Sequence, residues 1–425
     1  MKKTLLTLLF AIFMATITWA APVLIPGSTT VYWEITGTTL YITGTGNMPD
    51  FADYNNQPWA ASREDITQLN IADGITAIGS YAFRNCGELT GTLTIPNNVI
   101  SIGDNAFSGC YKLDGLMLGN ALEIIGDGAF SNCEGLTGTL VIPNGVKLIE
   151  SSAFFECDNL TGTLVIPNMV TSIGYSAFVN CSKLEGLVLG SSVESIELQA
   201  FAGCSSLTGT LIIPDKVKSI GQTAFYRCSN LEHLVLGQAL ETIGAEAFGN
   251  CESLAGMLVI PDKVTSIGSA AFWGCSQLSS LVIGNSVETI GGYAFNSCGS
   301  LKSIKAFPEI PPVVADENAF GGSPTWAPTC MLYVHSGSED AYKAAVGWSL
   351  FAQNTYTGIT SATVSDLKVS VENGVIIITG ITQPQVSVFD IQGHQIFSGI
   401  TNRVEIPQTG VYIVNVDNKA VKVVI

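Results

Sequence analysis

The sequence predicts a mainly β fold: a β solenoid of about ten coils with end caps, followed by a small all-β sandwich. Three observations carry this expectation. The dipeptide Ala-Phe recurs with its ring at Phe83, Phe107, Phe130, Phe154, Phe178, Phe201, Phe225, Phe248, Phe272 and Phe295, always 23 or 24 residues apart, with an eleventh at Phe320. Three residues after each of the first ten stands a cysteine, from Cys86 to Cys298. Beyond about Thr357 the pattern changes to short alternating strands. A fixed period of this length marks stacked units, none of which can bury its apolar face alone.

In chain order, residues 1–20, "MKKTLLTLLFAIFMATITWA", join Lys2 and Lys3 to an apolar stretch from Leu5 to Ile17, with small residues at Thr18 and Ala20. That is the layout of a secretory signal peptide and predicts an exported chain, secreted or held at a bacterial cell surface. Downstream no run of 18 apolar residues occurs, so no transmembrane span is expected once the signal is removed.

Over residues 66–303 the unit reads L-x-[IL]-[PG]-x-x-[VL]-x-x-I-G-x-x-A-F-x-x-C-x-x-L. In "LVIP" strand alternation sends the first and third residues inward and the second outward. Pro or Gly then ends the strand, "VTSIG" returns along another side, and "AFxxC" is expected as a short helical turn. Units starting "LVIP" after "TGT" or a variant, as at Leu140, Leu164, Leu211 and Leu258, mostly alternate with units of the "LVLG" kind, as at Leu116, Leu187, Leu234 and Leu281. At about 4.8 Å per strand such an array is a rod on the order of 50 Å long. Its end coils would expose an apolar cross-section and an unpaired edge, so caps are expected over 21–65 and 304–357.

Units such as "SVESIELQAFAGCSSL" and "KVTSIGSAAFWGCSQL" resemble the BspA-like branch of bacterial leucine-rich repeats, over roughly residues 66–303. The resemblance implies a right-handed leucine-rich-repeat array. "VYWEITGTTLYITGTGNMPDF", with Pro58 and Trp59 after it, is similar to the family's N-terminal hairpin cap, and "MLYVHSGSEDAYKAAVGW" to its closing strand and helix. It also implies a surface protein that adheres to host matrix proteins or to other cells.

Residues 358–425 carry about seven short segments, from "LKVSV" and "VIIITG" to "VYIVNV" and "AVKVVI", broken by Asn-Gly, Gln-Gly, Thr-Gly and Asp-Asn turns. That spacing predicts a small β-sandwich. The segment resembles the C-terminal sorting domain of type IX secretion substrates, through Asp390, Gly393, Gly410, Tyr412 and the terminal "VKVVI". The family's usual basic residue at the end is missing, so a working export signal and a retained surface module both stay open.

Composition narrows the function. With 35 acidic against 18 basic residues the net charge is −17, and such a surface repels phosphate backbones, so nucleic acid is not an expected partner. Of the 11 cysteines, ten form one column of the repeat, and Cys330 lies in the cap segment "TCMLYV". Side chains in a stacked column point the same way, nearly a strand spacing apart, and bridging them would distort each coil. They read as buried free thiols filling small apolar gaps. No C-x-x-C pair exists and His233, His335 and His394 are far apart in sequence, so no metal, redox or other cofactor site is predicted. Nucleophilic catalysis needs a Ser or Cys with a His base, and the repeats hold only His233. There is no G-x-S-x-G and no P-loop; "GTGNMP" from Gly44 reads as a hairpin turn, and Glu64 and Asp65 share a solvated loop. The chain is not expected to be an enzyme.

What remains is recognition of extracellular proteins or glycans by the solenoid surface. The outward residue of the leucine strand is Thr94, Met117, Val141, Val165, Val188, Ile212, Val235, Val259 and Val282 in successive coils. Two readings stay open: β-propensity on a crowded parallel sheet, or an exposed apolar stripe for binding. Phe155, Tyr175, Tyr226, Trp273 and Tyr293 flank the Ala-Phe turns, either as scattered surface aromatics or as an edge that stacks on sugars or anchors a protein. Glu123, Glu194, Glu241 and Glu288 share one column with Lys147 and Lys218, which reads as a solvated face or a weak calcium site.

Overall fold

The computed structural model describes residues 21–321, 329–359, 368–372, 375–379, 385–390, 395–401, 403–406, 411–416 and 419–424. The proposed signal peptide and the Gly393 and Gly410 positions lie outside these described residues.

Each coil supplies strands to two faces. On one face the Ser-Ile dipeptides and their equivalents stack as a twelve-stranded parallel sheet from Gly46–Asn47 to Val313–Val314. Its register is strict among the repeat coils, with Ile125 beside Ile149 and Ile149 beside Ile173, and shifts only at the first rung, Gly46–Asn47. The ten repeat coils contribute ten of these strands, and the flanking segments add one rung at each end.

On the leucine face the ladder is broken into short groups. Gly91–Thr94 pairs with Leu113–Met117, Thr163–Val165 with Gly186–Val188, and Thr210–Ile212 with His233–Val235. A five-stranded sheet then runs from Gly256–Ile260 through Leu278–Ile283, Ser303–Ala306 and Met331–His335 to Thr355–Ile359.

The two unit types explain the breaks. A Cβ on Gly119, Gly190, Gly237 or Gly284 would collide with the carbonyl oxygen of Pro96, Pro167, Pro214 or Pro261, so each "LVLG" coil closes tightly onto the "LVIP" coil before it. Across that step the N–H groups of Ile95, Ile166 and Ile213 donate to the carbonyls of Met117, Val188 and Val235. Asn97, Asn168, Asp215 and Asp262 accept the backbone N–H of Asn120, Ser191, Gln238 and Asn285. The opposite step is open: the proline-type coils begin with Gly91, Gly138, Gly162, Gly209 and Gly256 at φ of 70–79°, these coils are 24 residues long, and the ladder is interrupted there.

One coil escapes the pairing. The coil from Leu140 is a proline type followed by another proline type at Leu164, and its leucine segment holds a single bridge, Gly138 to Leu160.

The "AFxxC" segment is not the helical turn expected from sequence. It is a run of β-turns, because the residue before each Ala-Phe and the residue before each cysteine are left-handed, as at Ser176 (φ 53°) and Asn180 (φ 59°). The geometry alternates the N–H groups. Ala177, Val179 and Cys181 donate three residues back, whereas Ser176, Phe178 and Asn180 donate to Leu198, Ala200 and Ala202 of the next coil. A helix would turn every N–H along its own axis and leave the coils unjoined on this side.

Inside, the eleven phenylalanines from Phe83 to Phe320 form one column, with ring centroids 5.1–5.7 Å apart and planes within 19°. Trp59 stacks on Phe83 at 5.5 Å and donates Nε1–H to the Ala82 carbonyl. At the other end Trp348 and Phe351 cover Phe320, and Trp348 donates to the Pro312 carbonyl. The N-terminal hairpin, Val31–Thr36 with Thr39–Gly44, meets the first coil through parallel pairing of Thr39–Ile42 with Gln68–Ile71.

The C-terminal strands form two antiparallel sheets. One holds Lys368–Glu372, Val375–Thr379 and Arg403–Glu405, and the other Gln395–Ile400, Gln385–Asp390, Val411–Val416 and Lys419–Val424. Alternate residues of both, including Ile376, Val388, Val404 and Val414, share one buried cluster, the arrangement of a sandwich.

Truncating a ring in the middle of the column leaves a gap between two coils that their strands hold in fixed register. Phe178→Ala should cost about 3–5 kcal/mol in urea unfolding and Phe178→Leu clearly less; a loss under about 1 kcal/mol for the alanine variant would show that the column is dispensable.

Candidate functional site

The leucine face carries the apolar stripe. Its direction follows from strand alternation: Leu164 and Ile166 are buried, while Val165 between them points out. Exposure is graded along the column. Met117, Val141, Val165 and Val188 are 60, 71, 51 and 49% exposed. Ile212, Val235 and Val259 are half-buried, and Val282 is buried between register partners Val259 and Lys305. The open run therefore covers four successive coils, and its most exposed member, Val141, belongs to the coil without a strand partner. Met169 and Leu148, in these same coils, are also exposed. Sequence reasoning missed both, although each is apolar in a column otherwise mostly small or polar.

The aromatic edge is less coherent. Phe155, Tyr226 and Trp273 share the column just after Ala-Phe, but Val179, Ala202 and Gly249 occupy it in the coils between them. Phe155 and Tyr226 are half-buried and Trp273 is exposed. Tyr175 and Tyr293, both exposed, stand in two other columns, Tyr293 at a left-handed position with φ 59°. The five rings are not gathered into one platform.

The glutamate column is a set of contacts between coils. Lys147 Nζ lies 2.8 Å from Glu123, and Lys218 Nζ lies 3.9 Å from Glu194. All four side chains are well exposed, so each pair contributes at most about 1 kcal/mol.

The model of the BspA type leucine rich repeat region matches this chain in six copies, spanning residues 60–185, 123–255 and 196–325. The chain belongs to the BspA-type leucine-rich-repeat family. Among solved structures it is similar to a leucine-rich repeat protein from Eubacterium ventriosum, with 22% identity over 72% of this chain and 98% of that one and a TM-score of 0.41. A leucine rich cell surface protein from Faecalibacterium prausnitzii shares 22% identity over 80% of this chain and 97% of its own, with a TM-score of 0.40. A leucine rich repeat protein from T. pallidum is 30% identical over 34% of this chain and 73% of its own, with a TM-score of 0.32. No curated protein matches the chain.

In this BspA-type array the cysteines have a structural task. All eleven are buried and unbridged. From Cys110 to Cys298, each Sγ–H donates to the carbonyl of the phenylalanine one coil back, as Cys181 does to Phe154, at 3.2–3.4 Å. The apolar-filler reading captured their burial and missed this bond, which only the stacking of coils brings about. Burial pushes the thiols up, Cys133 and Cys204 to about 12 and Cys181 well above its ordinary value, so none is a ready nucleophile.

The folded chain therefore keeps thiol protons that an unfolded chain begins to release near the ordinary thiol value of 9.0. Thiol-linked stability should be complete below that pH and decline as pH climbs toward 12, which alkaline unfolding would record. A thiol reagent at neutral pH should find no reactive cysteine in the folded protein and all 11 after denaturation. Recovery of about half or fewer would establish disulfides instead.

Proposed function

We propose that this BspA-type protein is an exported, non-catalytic scaffold of the cell surface that binds an extracellular protein through its leucine face. The observation that carries the reading is the run Met117, Val141, Val165 and Val188, four successive outward apolar side chains that are each about half exposed or more. β-propensity accounts for valine at such positions. It does not account for leaving four of them uncovered in adjacent coils, and exposed apolar surface of this kind is characteristic of interaction sites. A rigid solenoid adds affinity by presenting the stripe with little conformational entropy left to lose.

Export rests on residues 1–20, and the two-sheet C-terminal region serves as a sorting or surface-retention module on the strength of the resemblance in sequence. Adhesion to matrix proteins or to other cells is the activity the family resemblance supports. A carbohydrate-binding envelope component is the second reading, favoured by Trp273 and Tyr293, which are exposed in adjacent coils.

A matrix-protein and glycan array probed with the full chain separates the two. The triple variant Val141→Thr, Val165→Thr, Val188→Thr keeps strand propensity and removes apolar surface. It should weaken capture by the protein partner about tenfold or more with an unchanged melting curve. Undiminished capture, or binding confined to glycans, would overturn the assignment of the leucine face.

A further inference from the structure

At the C-terminal end of the array, the usual turn after the leucine strand is replaced by the loop Phe307–Pro312, "FPEIPP". Its carbonyls are held from the cap: Tyr342 Oη donates to Pro308 and Ser338 Oγ to Glu309, each at 2.8 Å, and Trp348 Nε1 donates to Pro312 at 3.0 Å. Three prolines and three anchored carbonyls leave this loop little freedom. Beside exposed Glu309, apolar side chains face outward here. Ile310 is 82% exposed, the highest value of any large apolar side chain among the described residues, and Val313 is 68% exposed. Between the loop and the preceding coil lies a cleft of about 690 Å3, walled by Val287, Glu288, Phe307, Ile310, Val313 and His335.

The repeat itself shows what Glu288 lacks. Glu288 stands in the column of Glu123 and Glu194, where the next coil supplies Lys147 or Lys218 to the carboxylate. Those lysines sit directly across the twelve-stranded sheet, and their own N–H groups donate to the glutamate carbonyls at 2.8 and 2.9 Å. Across from Thr289 stands Val313, which puts Pro312 in the lysine's place opposite Glu288. The carboxylate is left on the cleft wall, and among the described residues neither it nor exposed Glu309 on the loop belongs to an ion pair.

We infer that this cleft docks an extended segment of a partner protein in which a lysine or arginine stands beside a large aliphatic residue. The cation takes the place that Lys147 and Lys218 take in earlier coils, and the aliphatic group covers Ile310 and Val313. The chain's net charge of −17 draws such a segment in. The site is separate from the exposed run on the leucine face, which ends at Val188, so either can fail without the other.

Short fluorescent peptides test it against the full chain at near-physiological salt, using an alternating Lys/Leu peptide with Lys/Ser and Glu/Leu controls. The Lys/Leu peptide should bind about tenfold tighter than either control. Ile310→Ser and Glu288→Gln should each weaken it about fivefold or more. Glu241→Gln, which removes a carboxylate of the same column facing Thr265 in the next coil, should not, and neither should the triple threonine variant of the leucine face. Ile310 and Glu288 are exposed, and unchanged melting curves check that both variants fold. Wild-type affinity in either variant, equal loss with Glu241→Gln, or no preference for Lys/Leu would each sink the inference.

Discussion

Every coil must return to the same place above its predecessor, and the phenylalanine column is where that demand is strictest. Parallel strands repeat at about 4.8 Å, and the rings repeat at 5.1–5.7 Å, near enough that one chain can satisfy both. The tolerance is small. The left-handed residues on either side of each ring exist because a helical segment there would carry its hydrogen bonds along itself and lose the next coil. The cysteine thiol completes the same joint by donating to the carbonyl of the ring-bearing residue below. Trp59 and Trp348 end the column because a terminal ring needs a large apolar cover, and each indole N–H also satisfies a carbonyl, that of Ala82 in the first coil and that of Pro312 in the closing loop.

The leucine face obeys a weaker rule, and the weakness is informative. Its coils close in pairs because a proline carbonyl fits only against a residue without a Cβ, and they separate at the left-handed glycine of the next unit. The 23- and 24-residue spacings and the Pro or Gly ending of the strand are thus one fact seen twice. Pairing of coils on this side runs in twos up to Val235 and joins five strands only from Gly256 onward, whereas the rings and the Ser-Ile sheet run the full length.

Much of this was legible in the sequence. The period, the inward leucines and the buried thiols all follow from columns that one chain repeats often enough to compare with itself, while the caps were expected because the end coils need cover. Two things were not read, though both left a mark. The turn after Ala-Phe was expected to be helical, yet the residue before the cysteine is Asn or Gly in seven of ten coils, Asn85, Gly109, Asn132, Asn180, Gly203, Asn250 and Gly274, the residues that accept left-handed backbone. The pairing of coils was written in the alternation of "LVIP" and "LVLG". The candidate site was less legible. Column identity fixes which way a side chain points, but not what stands above it, which is why Val141 and Val282 share a column and differ so widely in exposure.

That difference underlies both proposals of recognition made for this protein. In the regular steps the asparagine or aspartate meets the backbone N–H and the glycine admits the proline carbonyl, and at two steps of the glutamate column a lysine meets the carboxylate. The two proposed binding surfaces both lie where a step is irregular. At the coil from Leu140 two proline-type units meet, the leucine strand loses its pairing, and the outward valine is the most exposed of its column. At Pro312 the unit is interrupted by a proline-rich loop, and a glutamate keeps its place while its lysine is gone. The same fidelity that builds the rod therefore marks these two departures from it, since each is a position at which the neighbouring coils define what is missing.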